Sequence, residues 1–240
     1  MIGLGLAEGI TACLFDLDGV LTPTALIHAQ AWRRVFDEFL QARSIKTGEA
    51  FKPFDDVRDY DEYVDGKPRA DGVRSFLESR GITLPEASVD ELAERKDGLF
   101  AELLHAHGVE AYPGSLSYLR AVRQAGLKTA VVSASKHCTE VLQAAGIQGE
   151  FDAQVDGNVT ESRRLNGKPA PDTYLEAARM LGAEARLSAV FEDALAGVAA
   201  GRAGGFGFVV GVDRAGQAQA LREHGADVVV KDLADLLVRQ

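Results

Sequence analysis

Residues Cys13–Ala25 read CLFDLDGVLTPTA: an apolar run that stops at two aspartates one residue apart, then a glycine. With the residues before it, ITACLF (Ile10–Phe15) has the length and apolar continuity of a buried strand. Asp16 and Asp18 then stand where that strand ends. Two carboxylates this close repel each other and resist desolvation. An aspartate after a strand often caps the next helix. That accounts for one of the two and explains the pair poorly.

From Gly108 onward, short apolar runs alternate with segments of helical length. LKTAVVS (127–133), FDAQVDG (151–157), SAVFED (188–193), FGFVVGV (206–212) and ADVVV (226–230) read as strands. Between them lie helices over about 115–125, 139–145, 171–181 and 194–204, with glycines or a first-turn proline marking their ends. Near-continuous apolar strands alternating with helices predict a parallel sheet covered on both faces, a doubly wound α/β core. The stretch from 25 to 107 differs. HAQAWRRVFDEFLQAR, DGVRSFLESRG and VDELAERKDGLFAELLHAH carry helical periodicity, and no strand pattern occurs there. The expected organisation is a core of 1–24 and 108–240 interrupted by an all-helical domain of 25–107. The polar segment between the first two of those helices, SIKTGEAFKPFDDVRDYDEYVDGKPRA, reads as a long ordered loop. GLGLAE (3–8) precedes its strand and GRAGGFG (201–207) follows a helix, so neither is a dinucleotide fingerprint.

The chain has 240 residues and a formal net charge of −10, which argues against nucleic acid or an anionic membrane surface as partner. Its two cysteines, Cys13 and Cys138, have no CxxC spacing and fit core positions in a reducing cytosol. No secretory leader or membrane-spanning run is read, so a cytoplasmic monomer is expected.

In a parallel α/β sheet, ligands bind beyond the carboxyl ends of the strands. Asp16 and Asp18 follow the first strand, SASK (Ser133–Lys136) follows the second, and Glu192 and Asp193 end the SAVFED strand. NGKPAPD (166–172) places Lys168 just before a proline-initiated helix. Carboxylates gathered at one edge require a cation, and an oxygen-only ligand set favours Mg²⁺. Mg²⁺ commonly shares its site with phosphate, and Lys168 and backbone N–H groups suit the phosphoryl oxygens. One aspartate then serves as nucleophile and the other moves the proton of the leaving oxygen.

FDLDGVLT, SASK, GKPAPD and FEDALAGVAAGRAG, in that order over nearly the whole chain, resemble the four motifs of the haloacid dehalogenase-like phosphotransferases. Within that superfamily the resemblance is to the β-phosphoglucomutase-like group, whose cap domain the helical insert matches. The resemblance implies Asp16 as nucleophile and Asp18 as general acid–base, with Ser133 and Lys168 holding the transferring phosphoryl group. It implies Mg²⁺ held by Asp16, the Asp18 backbone carbonyl, Glu192 and Asp193. Ser135, Lys136 and His137 would meet the far end of a small phosphorylated sugar. In the cap, Gly66 and Lys67 would lie near the sugar, Arg69 would grip the non-reacting phosphate bidentately, and Lys96 would face the site. His28 and Trp32 match the pattern as well, and equally fit an inward-facing helical stripe. The implied activity is interconversion of β-glucose 1-phosphate and glucose 6-phosphate through a bisphosphate, with a sugar-phosphate phosphatase as the alternative. Pro23 and Asp65 depart from the group's pattern at the hinge and beside Gly66.

Overall fold

The computed structural model describes residues 2–239, and of Ile2, Val238 and Arg239 the backbone alone. The chain opens with β1 (Ile2–Gly3) and β2 (Ala12–Phe15), followed by α1 (Thr24–Thr47), α2 (Arg69–Ser79) and α3 (Glu86–His107). Next come α4 (Pro113–Gln124), β3 (Lys128–Val132), α5 (Cys138–Ala144), β4 (Ala153–Val155), α6 (Gly157–Ser162) and α7 (Asp172–Leu181). Then follow β5 (Ser188–Glu192), α8 (Leu195–Ala203), β6 (Phe208–Val212), α9 (Ala218–Glu223), β7 (Val228–Val230) and β8 (Val238–Arg239).

Six strands form one parallel sheet in the order β4-β3-β2-β5-β6-β7. The doubly wound α/β architecture read from the sequence is therefore present. β2 is central, with Phe15 in register with Val131 of β3 and Phe191 of β5. Successive strands run outward from β2 in both directions, so the topological switch point lies at its carboxyl end. Asp16 stands there. Every residue of β2 is fully buried, which is why its sequence shows an apolar run rather than alternation. Ile2–Gly3 and Val238–Arg239 form a separate antiparallel pair that no sequence signal announces.

Two compact units are present. The first contains the residues up to Pro23, Gly66–Pro68 and those from Val109 onward; the second contains Thr24–Asp65 and Arg69–Gly108. Gly66–Pro68, which the sequence reading put inside the helical insert, thus groups with the sheet. In the first unit, Tyr174, Ala177 and Leu181 of α7 and Val198 of α8 share a core with Leu14, Val132 and Val190 of the sheet.

The second unit has no strand among its described residues. Its core contains Trp32 and Phe36 of α1, Phe54, Tyr60 and Val64, and Val73 and Phe76 of α2. The segment read as a loop is more structured than expected. α1 runs through Thr47, and Tyr60–Val64 forms a π-helical turn. The cause is a set of apolar anchors within a polar sequence. Phe54 lies 5.0 Å from the Phe76 ring, and its N–H donates to Asp37 Oδ1 at 2.8 Å. Asp59 adds a buried ion pair with Arg80 at 2.6 Å.

Asp61 sits half-buried on that turn. Burial first, then the charges of Asp55 and Glu62, push its carboxyl up to about 6. The folded state therefore holds its proton more tightly than the unfolded chain, and stability declines as pH rises from about 4 to about 6. After allowance for solvent screening the effect is about 1 kcal/mol. Asp61→Asn should raise the melting temperature at pH 7 and change it little at pH 4. A gain of equal size at both pH values would remove the electrostatic cause.

Candidate active site

The carboxyl ends of β2, β3 and β5 bring Asp16, Ser133, Glu192 and Asp193 to one edge of the sheet, and the loop before α7 adds Lys168. Lys168 is nearly inaccessible. Its ammonium donates to Asp16 Oδ1 at 2.5 Å and to the Val132 carbonyl at 3.4 Å, and it also donates to Glu192 Oε1. Glu192 is fully buried: Oε1 also accepts from the Tyr174 hydroxyl at 2.8 Å, and Oε2 accepts the Ala194 N–H at 3.1 Å. Asp18 lies to one side, its Oδ2 accepting from the Ser133 hydroxyl at 3.2 Å.

Ligating oxygens of Asp16, Glu192 and Asp193 lie within 4.8 Å of one another, the one group of this kind among the described residues. Four carboxylates against one ammonium leave an excess of negative charge. Burial raises the Asp16 pKa, and Glu192 and Asp18 raise it further, while Lys168 reverses this only in part. For Lys168, burial works to lower the pKa, but the charges of Asp16 and Glu192 outweigh it and keep the ammonium protonated. Such a set of buried oxygens fits Mg²⁺. Asp18 contributes no side-chain oxygen to the cluster; its expected part in the ligand set was the backbone carbonyl.

Two glycines permit the close packing. Gly19 has φ +82°, and a methyl group there would lie 1.7 Å from Asp193 Oδ2. At Gly197 it would lie 1.7 Å from Glu192 Oε1. The loop after β3 is ordered by its own side chains: Ser133 Oγ accepts the Ser135 N–H at 3.1 Å, and Ser135 Oγ accepts the His137 N–H at 3.1 Å. Lys136 pairs with Glu161 at 2.5 Å, and His137 Nδ1 lies 2.8 Å from Glu140.

The cap candidates divide between the two units. Gly66 lies against Ala194, two residues after Glu192, and Lys67 follows it in the same short segment. Arg69 belongs to the second unit and pairs there with Asp97. Lys96 is buried in the same unit, 2.5 Å from His28 Nδ1 and 5.1 Å from the ring centroids of both Trp32 and Phe100. Trp32 is a core residue, as an inward-facing stripe requires. His105, His107 and His224 are exposed. Burial raises the pKa of both cysteine thiols, Cys13 and Cys138, so neither is a nucleophile at neutral pH.

Sequence reasoning missed Tyr174, Arg214 and Gln217. Gln217 Nε2 donates to the Asp193 carbonyl at 3.1 Å, and Arg214 Nε to the Gly19 carbonyl at 2.9 Å. The strand-exit rule that singled out Asp16 and Glu192 flags Arg214 too once it is applied to the end of β6. Tyr174 gave no signal, because an aromatic residue on the inner face of a helix reads as core.

A family model described as haloacid dehalogenase-like hydrolase matches residues 10–205. The chain is 51% identical over 246 residues to a β-phosphoglucomutase of Mycobacterium tuberculosis, covering 98% of this chain and 94% of that protein. It is 33% identical to a β-phosphoglucomutase of Bacillus subtilis, covering 94% and 91%. A crystal structure of β-phosphoglucomutase from Clostridium difficile superposes with a TM-score of 0.76 at 29% identity, covering 95% of this chain and 93% of that one. No helix among the described residues is long and apolar enough to cross a membrane.

Proposed function

The chain belongs to the haloacid dehalogenase-like hydrolase family, and from that premise we propose that it is a Mg²⁺-dependent phosphosugar mutase interconverting β-glucose 1-phosphate and glucose 6-phosphate. That it is an enzyme, a phosphomutase or a phosphatase, follows from the family and its β-phosphoglucomutase relatives. The buried set of Asp16, Lys168, Glu192 and Asp193, with Asp18 hydrogen-bonded to Ser133 beside it, supports the phosphoryl chemistry, and the observation that favours the mutase is the 51% identity to a β-phosphoglucomutase over 98% of this chain.

The Asp16 carboxylate attacks the phosphorus and becomes an aspartyl phosphate. Asp18 protonates the departing sugar oxygen, then takes the proton from the hydroxyl that receives the phosphoryl group. Lys168 and the Ser133 hydroxyl hold phosphoryl oxygens; Lys168, already charged and nearly inaccessible, needs no rearrangement of water to do so. Mg²⁺, held by Asp16, Glu192, Asp193 and the Asp18 carbonyl, would offset the charge of nucleophile and phosphate together. Arg69 is assigned the non-reacting phosphate of the bisphosphate, which exchanges for its present partner Asp97. Lys67, Gly66, Ser135, Lys136 and His137 are assigned to the sugar.

The test is NMR of β-glucose 1-phosphate with Mg²⁺ and a catalytic amount of the bisphosphate. Accumulation of glucose 6-phosphate supports the mutase. Release of inorganic phosphate alone would replace it with a phosphatase. Asp18→Asn should slow first-turnover release of phenol from phenyl phosphate, the step that forms the aspartyl phosphate, by about 10²–10⁴-fold, the usual range for general acid catalysis. First-turnover release of 4-nitrophenolate from 4-nitrophenyl phosphate, whose leaving group needs less protonation, should fall far less. Equal losses on both esters would take the acid role away from Asp18.

A further inference from the structure

The turn that follows Asp18 is held from outside at three successive carbonyls. Gly19 C=O accepts from Arg214 Nε at 2.9 Å, Val20 C=O from the Ser115 hydroxyl at 2.6 Å, and Leu21 C=O from the Tyr112 N–H at 2.8 Å. The contact nearest to Asp18 is the one made by Arg214, which stands two residues beyond β6 on the carboxyl edge of the sheet.

Arg214 is itself fixed on several sides. Its Nη1 donates to the Lys231 carbonyl at 2.9 Å and lies 3.6 Å from Asp232, and its guanidinium stacks 3.9 Å from the Tyr112 ring centroid. The Gly19 N–H donates to the Thr22 carbonyl at 2.7 Å. Both peptide planes flanking Gly19 are thus pinned, one by the turn itself and the other by Arg214. The first of these planes carries the Asp18 carbonyl. Gly19 has the freest backbone in this turn and a φ of +82°. Without Arg214 the second plane loses this donor, and the turn at Gly19 is left to its own N–H bond to Thr22.

We propose that Arg214 is a positioning residue for Asp18, holding the Gly19 carbonyl so that the Asp18 carboxyl stays aligned with the leaving oxygen. This rests on the acid–base role proposed for Asp18. Arg214 itself is assigned no contact with phosphate or sugar. Its charged N–H on a backbone carbonyl is among the stronger hydrogen bonds available for the purpose.

The experiment compares first-turnover release of phenol from phenyl phosphate and of 4-nitrophenolate from 4-nitrophenyl phosphate, with Mg²⁺, in the wild type, Arg214→Met and Arg214→Lys. A displaced acid lowers the rate where the leaving group needs a proton. Arg214→Met should therefore lose about 10²-fold on phenyl phosphate, the scale of a misplacement of about 1 Å, and less than about 10-fold on 4-nitrophenyl phosphate. Arg214→Lys keeps one charged donor and should recover part of the loss on phenyl phosphate. Equal losses on the two esters, or none, would overturn the proposal. If Arg214→Met does not fold, Arg214→Lys is scored against the wild type by the same two-ester comparison. The reading beneath it fails separately: Asp18→Asn losing equally on both esters removes the acid role, whatever Arg214 does.

Discussion

Asp16→Asn is expected to remove turnover, by at least about 10⁴-fold, the scale of losing a nucleophile, while leaving the fold in place. The amide keeps the shape of the carboxylate but does not form the acyl phosphate and is a weaker, uncharged metal ligand. The stability effect is less obvious and follows from the charge balance. Asp16 and Glu192 share the Lys168 ammonium, and Asp16 is disfavoured as an anion by burial and by its carboxylate neighbours. Its replacement relieves that cost, and Lys168 keeps Glu192 as a partner. In chelator, Asp16→Asn should therefore melt no lower than the wild type. Added Mg²⁺ should raise the wild-type melting temperature clearly and the variant's much less, because binding to the folded state alone supplies the stabilisation. Thermal melts with EDTA and with Mg²⁺, beside a turnover assay, read all of this. A variant as strongly stabilised by Mg²⁺ as the wild type would remove Asp16 from the metal site.

Much of this arrangement is legible in the amino-acid sequence, because the fold converts a local rule into a spatial one. In a parallel sheet every strand exit falls on the same edge, so polar residues at the ends of three apolar runs must meet. Asp16, Ser133 and Glu192 are 117 and 59 residues apart in successive steps, and periodicity alone brings them together. The insert's helices are legible from their period, and its turn at Tyr60–Val64 is not. Composition averages over Phe54 and Tyr60, whereas the fold is decided by where those few rings are buried. The short α6 escapes for a related reason. Six residues carry too little periodicity, and the helix begins where Asp156 accepts N–H bonds from Asn158 and Val159. Tyr174 and Gln217, which act by holding others, leave no pattern of their own because their partners are a distant carboxylate and a backbone carbonyl, whereas Arg214 stands at a strand exit, where the same rule extends to it.

Lys168→Met should show the opposite balance to Asp16→Asn, and the contrast tests the electrostatic account of the site. Methionine is similar in length and apolar, so it fills the space without supplying charge. The side chain of Lys168 is 2% exposed, and those of its partners Asp16 and Glu192 are 8% and 0% exposed. Removing the ammonium leaves two desolvated carboxylates facing each other, and breaking a buried pair in this way costs about 3–5 kcal/mol. The variant should relieve the repulsion by protonation. Asp16, whose pKa is already raised, should take up a proton at a still higher pH. A carboxyl with a raised folded-state pKa contributes its stability at low pH and loses it as pH rises through that value. The deficit relative to the wild type should therefore be larger at pH 8 than at pH 5 when measured by urea unfolding in EDTA. Mg²⁺ should restore part of the stability at pH 8, since a cation among the carboxylates replaces some of the missing charge. Activity should remain low, down by about 10²–10³-fold even with saturating Mg²⁺, because a preorganised donor to the phosphoryl oxygens is gone. Stability in EDTA equal to the wild type at pH 8 would mean that the carboxylates are already protonated or hydrated, and the charge account of the site would have to be abandoned.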